Sequence, residues 1–263
     1  MRCGDLAESS LGRCQRTPPA NRSLSVTGMI IDTKGAYREG NVSPEEAAWF
    51  ERNLRSRAAS ELSPLLNVGS STLEYRSSGS TQIDRLLLGP LVARGVEVVH
   101  VDLKEDPGVD LVGDITDPAF RVRIAQIGAK AILCNNLLEH VHDPPAMCRA
   151  LADICPPGGT LCLSVPHAFP FHPDPIDNGF RPSLGQLSEI FAPSGFAFSQ
   201  GDLVDFGSYG EALAGNPRLL LRDAYLLALA PFHEEKRKVL LGNYAFFRRR
   251  FQVACAIFTK ISR

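Results

Sequence analysis

Residues 164–183 read SVPHAFPFHPDPIDNGFRPS and gather two histidines, two aspartates and an arginine among prolines. A hydroxyl that attacks an activated carbon must lose its proton as the new bond forms, and imidazole is the ordinary side chain for that task near neutral pH. His172 and His167 are therefore the candidate catalytic bases. A guanidinium suits a carboxylate or phosphate on an acceptor, so Arg181, with Asp174 and Asp177, is a candidate for substrate binding. Two histidines and a carboxylate can also hold a divalent cation, but the spacing matches no standard ligand signature and no metal is expected. The structural alternative is a loop stiffened by prolines at 166, 170, 173, 175 and 182, whose histidines are exposed or bound to backbone.

Further polar groups stand at the ends of apolar runs. Asp102 stands at the tip of VEVVHVDL, one residue before its end, where a nucleoside-binding fold puts a carboxylate to accept from both ribose hydroxyls. A solvated turn aspartate is the other reading. Asp114 follows in the turn Gly113-Asp114-Ile115, and Asn135-Asn136 halts the run Ile132-Leu133-Cys134. Glu139 and His140, on a helix just after that run, read first as side chains that fix a turn, and His142 as a surface residue.

These groups act together only if strands and helices bring them to one edge. Short apolar runs at 64–69, 96–103, 109–115, 132–134, 160–165 and 196–204 predict strands, and the alternating run 251–261 predicts an antiparallel edge strand. Ser43-Pro44-Glu45-Glu46 is a capping box, and Ala47, Phe50, Leu54 and Ala58 continue its helix as a cover over the sheet or over the mouth of its ligand site. A helix around Ile83, Leu86 and Leu87 is interrupted by Gly89-Pro90; others are expected at 120–127, at 144–154 after Asp143, and at 184–191 after Ser183. Alternating strands and helices imply a doubly wound, mostly parallel α/β sheet with helices on both faces. Ligands bind such sheets at the carboxyl ends of the strands.

The chain has 263 residues, 44% of them hydrophobic, with a formal net charge of -1. That supports one large core and argues against a nucleic-acid binder driven by electrostatics. No apolar run approaches the roughly 20 residues that span a bilayer, and no secretory signal is seen. Seven cysteines form no CxxC pair, which suits reduced thiols in the cytoplasm. The expected organisation is a disordered leader at 1–28, a cover segment and helix at 29–62, the core at 63–205, a helical lid or interface at 206–250 and the terminal strand at 251–263. The tail helices carry basic clusters at Lys236, Arg237, Lys238 and Arg248 to Arg250. They read as a lid over the acceptor or a homodimer face, and second as a contact with a membrane surface or lipid-linked substrate.

In this order the segments resemble class I S-adenosylmethionine-dependent methyltransferases, the small-molecule kind called methyltransferase type 11. The motifs are LLNVGSST, VVHVDL, LVGDI, NNLLEHVHDP and PPGGTLCLSVP, within residues 64–198. The resemblance implies a Rossmann-like methyltransferase fold with seven strands, the last antiparallel. It also implies S-adenosyl-L-methionine as cofactor and methyl transfer to a small polar acceptor, an oxygen on a sugar-like or other metabolite. It puts Asn67, Gly69 and Ser71 along the methionine portion, Asp102 at the ribose, Asp114 with Ile115 at the adenine, and Asn135 beneath the methyl donor. The family's first loop has an acid and several glycines; here Asn67 replaces the acid and Gly69 stands alone, which removes a partner for the cofactor's amino group. Two rival readings follow. One is a non-catalytic member kept as a binding or scaffold module, and the other a nicotinamide-dependent oxidoreductase, for which the GxGxxG turn is absent.

Overall fold

A computed structural model describes residues 42–79, 81–172, 176–216 and 218–261. The expected leader and Asp174 lie outside these residues. In chain order the elements are α1 (Pro44–Leu54), α2 (Ala59–Leu62), β1 (Leu65–Val68), α3 (Thr81–Ile83), α4 (Gly89–Ala93), β2 (Val98–Asp102), β3 (Leu111–Val112) and α5 (Pro118–Ala125). There follow β4 (Ala131–Asn135), α6 (Pro144–Ile154), β5 (Thr160–Ala168), α7 (Leu184–Phe191), β6 (Phe196–Ser208), α8 (Tyr209–Gly215), α9 (Leu219–Leu229), α10 (Glu234–Ala245) and β7 (Arg250–Lys260).

The strands form one sheet in the order β3-β2-β1-β4-β5-β7-β6. Parallel pairing joins β1 to β2 and β4, β2 to β3, and β4 to β5, while β7 runs antiparallel to both β5 and β6. The chain winds outward from β1 to β3 on one side and from β4 to β5 on the other, which opens a crevice at the carboxyl ends of β1 and β4. This is the Rossmann-like arrangement expected, with β7 as the reversed strand.

Side-chain alternation explains the layers. In β4, Ile132 and Cys134 face one core while Ala131 and Leu133 face the other; in β7, Ala254, Ala256 and Phe258 alternate with Val253, Cys255 and Ile257 in the same way. Both faces of the central strands are therefore apolar and must be covered. Phe120 and Ile124 of α5, Leu151 of α6 and Leu187 of α7 cover the first face. Phe50 and Leu54 of α1, with Leu87 and Leu91, cover the second. The capping box at Ser43 and the cap at Ser183 form as expected, and at Ser183 the Gln186 side chain completes a second box.

Four local expectations are corrected. The helix does not break at Gly89-Pro90: Asp84–Leu88 widens to a π-type turn, the Gly89 N–H bonds to the Asp84 carbonyl, and Pro90, which lacks a donor, enters at the start of α4. β3 keeps only two residues, because it pairs on one side alone and ends at Gly113. β6 runs on to Ser208, since β7 offers it partners as far as Arg250. Glu139 and His140 lie on a single 3-10 turn, Leu138–His140, before Asp143 caps α6.

Candidate functional site

At the end of β1 the backbone turns through Gly69, at φ 71°, and Ser71, at φ 53°. Space favours glycine at 69 as well, because a Cβ there would stand 3.0 Å from Leu137 Cδ1, which would have to give way. Asp102 fastens the turn: its Oδ2 accepts from the Ser71 N–H at 2.7 Å and its Oδ1 from the Lys104 N–H at 3.0 Å. From behind, buried Arg76 donates to the carbonyls of Ser70 (3.0 Å), Ser71 (2.7 Å) and Gly108 (2.8 Å). Gly69, Ser71 and Asp102 thus come together at one turn. Asn67 faces across the sheet, where its amide donates to His100 Nδ1 at 3.1 Å. Burial, with the Arg76 cation, lowers the His100 pKa against the pull of Asp110 and Asp84, so this ring is neutral and suited to accept. Asp114 is exposed and caps its own turn, accepting from Thr116 N at 2.8 Å, while Ile115 is buried beside it.

The tip of β4 and the middle of β5 carry a second constellation, built on Glu46 of the α1 capping box. Glu46 is buried, and its carboxylate accepts from Asn135 Nδ2 at 3.0 Å, Asn136 Nδ2 at 3.2 Å, the Ser164 hydroxyl and the Ser43 N–H at 3.3 Å. Burial raises its pKa, and these four bonds pull the other way. The Oδ1 atoms of Asn135 and Asn136 are buried with no hydrogen-bond partner among the described residues. A glutamate at the third helical position is ordinarily accounted for by its cap, so nothing in the pattern singled out Glu46. Arg76, in a Ser/Thr-rich loop, carried no signal either.

Beyond Asn136 lies the third group. Glu139 is fully buried, and neither carboxylate oxygen has a hydrogen-bond partner among the described residues. Burial, opposed by its own N–H and by Arg181, pushes its pKa up to about 8. His140 Nε2 is 3.7 Å from Glu139 Oε1, and the His140 and His172 rings meet edge to face at 5.2 Å between centroids. His172 is 1% exposed; its Nδ1 is 3.2 Å from Asp177 Oδ2, and Arg181 Nη2 donates to the same oxygen at 2.6 Å. Burial raises the Asp177 pKa, but bonds from His172, Arg181 and the N–H groups of His172 and Gly179 outweigh it and hold the carboxyl well below the usual range. His172, Asp177 and Arg181 therefore form one network, in which Arg181 is committed to Asp177. His167 stands apart with Nδ1 2.9 Å from the Pro182 carbonyl, and His142 is exposed.

Aromatic rings wall this group. Phe169 meets the His172 ring at 5.0 Å and lies 5.9 Å from Phe206 and 5.6 Å from Phe251. The tail helices reach the same loop, for a Cβ on Gly242 of α10 would stand 3.2 Å from Pro170 Cβ. Among the described residues no helix is long and apolar enough to cross a membrane. Five cysteines, at 134, 148, 155, 162 and 255, are buried and unpaired.

A family model described as a methyltransferase domain matches residues 80–212, half of the chain. Its match begins after β1 and the Gly69 turn. Comparison with curated proteins gave no match. Among solved structures, a SAM-dependent methyltransferase from Archaeoglobus fulgidus is 14% identical, with a TM-score of 0.48, covering 83% of this chain and 95% of that one. The 1,6-didemethyltoxoflavin-N1-methyltransferase of Burkholderia thailandensis, crystallised with 1,6-didemethyltoxoflavin and S-adenosylhomocysteine, is 12% identical, with a TM-score of 0.44, covering 84% and 80%.

Proposed function

The chain belongs to the methyltransferase-domain family, and on that premise we propose that it transfers a methyl group from S-adenosyl-L-methionine to an oxygen of a small polar acceptor. The observation that carries the reading is the cluster of Glu139, His140 and His172 after the carboxyl ends of β4 and β5, on the same edge of the sheet as the turn fastened by Asp102 after β1. The residues fit the cofactor. Each Asp102 oxygen spends one lone pair on a backbone N–H, and the remaining acceptor capacity suits a ribose diol. The unpartnered Oδ1 atoms of Asn135 and Asn136, held in place by Glu46, suit the amino group that has lost its usual acid at Asn67. Ile115 offers an apolar contact for the adenine.

When bound, the cofactor supplies an activated methyl carbon on a sulfonium. The protein's part is positioning and proton removal. His172 is the better of the two candidate bases, since the Asp177 carboxylate faces its Nδ1 whereas the Pro182 carbonyl faces that of His167. The Phe169 and α10 contacts favour the lid reading of the tail, with a homodimer face or a membrane contact as the alternatives. A cytoplasmic setting agrees with the buried, unpaired thiols.

Calorimetric titration with S-adenosylmethionine and S-adenosylhomocysteine tests the reading. Micromolar binding is expected, weakened at least tenfold by Asp102→Ala. No binding at millimolar ligand would leave the scaffold reading, and binding of a nicotinamide dinucleotide instead would favour the oxidoreductase.

A further inference from the structure

We propose that Glu139, His140 and His172 form a divalent-cation site between the tips of β4 and β5. The role suggested below, holding an acceptor oxygen, rests on the methyl-transfer reading; the site itself does not. One ligand atom from each residue lies within 4.8 Å of the others. Donors roughly 2.0–2.2 Å from a shared ion stand about 3–4 Å apart, so a small side-chain adjustment closes the set.

Two independent observations point to a cation. The first is Glu139, whose two oxygens are buried without a hydrogen-bond partner among the described residues, a position that a carboxylate tolerates only with a donor or a positive charge nearby. The second lies behind the rings. His140 Nδ1 is bound to the Ile176 carbonyl, and His172 Nδ1 is 3.3 Å from the Pro170 carbonyl and 3.2 Å from Asp177, itself pinned by Arg181. Histidines that hold a metal through one nitrogen characteristically give the other N–H to a carbonyl or carboxylate, which fixes tautomer and ring orientation.

Two imidazoles and one carboxylate favour an ion of the manganese-to-zinc series over magnesium or calcium, which prefer all-oxygen cages. Three protein ligands leave a coordination position open. An acceptor hydroxyl in that position would be acidified by the ion and would lose its proton to solvent. Its oxygen would then bond the methyl carbon as the carbon–sulfur bond breaks with its electron pair going to sulfur. His172 then serves as a ligand rather than as a free base.

The full chain, stripped with a chelator and dialysed, is titrated with Co2+ followed by its visible absorption, with Zn2+ as competitor and S-adenosylhomocysteine binding measured on the same sample. One equivalent of Co2+ should bind and be displaced by Zn2+, Glu139→Gln and His172→Ala should each weaken it at least tenfold, and His142→Ala should leave it unchanged. Absence of stoichiometric binding by the unaltered chain at 1 mM (about the weakest useful affinity) overturns the site, as does wild-type affinity in folded Glu139→Gln. Retained S-adenosylhomocysteine binding in that event leaves methyl transfer with His172 as base, whereas loss of S-adenosylhomocysteine binding with Co2+ retained removes the methyl-transfer reading alone.

Discussion

Replacing Glu46 by alanine removes the acceptor on which four donors converge, from Ser43, Asn135, Asn136 and Ser164. The Ser164 side chain is wholly buried and would lose its partner outright, at about 1–3 kcal/mol. Asn135 and Asn136 are half-buried, so water recovers part of theirs, and the broken capping box adds roughly 1 kcal/mol. Relief from burying a carboxylate offsets some of this, giving a net loss of about 2–4 kcal/mol, or roughly 5–12 °C in Tm for a domain of this size. Glu46→Gln keeps one acceptor and turns an NH2 toward the Asn136 amide, so it should fall between the two. pH supplies a second axis. An acid whose pKa is raised by folding contributes stability that is complete below its ordinary value of 4.5 and is lost as the pH rises through the folded value. The wild-type advantage over Glu46→Gln, which does not titrate, should therefore be greatest near pH 4.5 and shrink as the pH rises. Urea unfolding followed by the fluorescence of Trp49, the single tryptophan and a buried residue of α1, reads both effects. Glu46→Ala within about 0.5 kcal/mol of wild type, the scatter of neutral surface changes, or a gap that widens with pH, would refute the reasoning.

Gly108→Ala puts a methyl 2.5 Å from Leu73 Cβ and 2.9 Å from Arg76 Nη2 at φ 84°, so it should cost about 2 kcal/mol or more and weaken S-adenosylhomocysteine roughly tenfold by loosening the Arg76 cradle; unchanged unfolding and calorimetry would show that the cradle does not support the turn. Burial pushes the Cys148, Cys155 and Cys162 thiols up to about 12 and Cys134 and Cys255 higher than ordinary. All five should resist a thiol reagent at pH 8 until urea unfolds the chain, and mass mapping of native labelling at any of them would contradict that packing.

What the sequence made readable was whatever has a period. Strands buried on both faces must be continuously apolar, so β1, β4 and β5 stood out, and the Ser43, Asp143 and Ser183 caps marked helix starts because local hydrogen bonds repeat at fixed offsets. The Gly89-Pro90 pair misled because a π-type turn upstream removes the need for the donor that proline lacks. Site residues set by long-range contacts had no such signature. Glu46 meets Ser164 across 118 positions, and Arg76 meets Gly108 across 32. Glu139 and His140 were visible, but only the approach of His172 from the loop after β5 turns a pair that fixes a turn into a cluster.

The glycine-poor first loop takes on a different meaning once its contacts are counted. Positive φ costs a residue with a Cβ about 1–2 kcal/mol, and Ser71 holds φ 53° where such loops more readily use glycine. Its N–H is taken by Asp102 and its carbonyl by Arg76, bonds to charged groups that contribute roughly 1.5–3 kcal/mol each. The turn is therefore sustained by its surroundings rather than by permissive residues. The same holds for the missing acid, since a neutral His100 beside position 67 matches an amide donor, and acceptors reappear across the crevice on Asn135, Asn136 and Glu46. A loop maintained by Arg76 and Asp102 should be rigid before ligand arrives, which lowers the ordering cost of binding. The departure from the family's motif is better explained as a relocated set of contacts than as a site in decay.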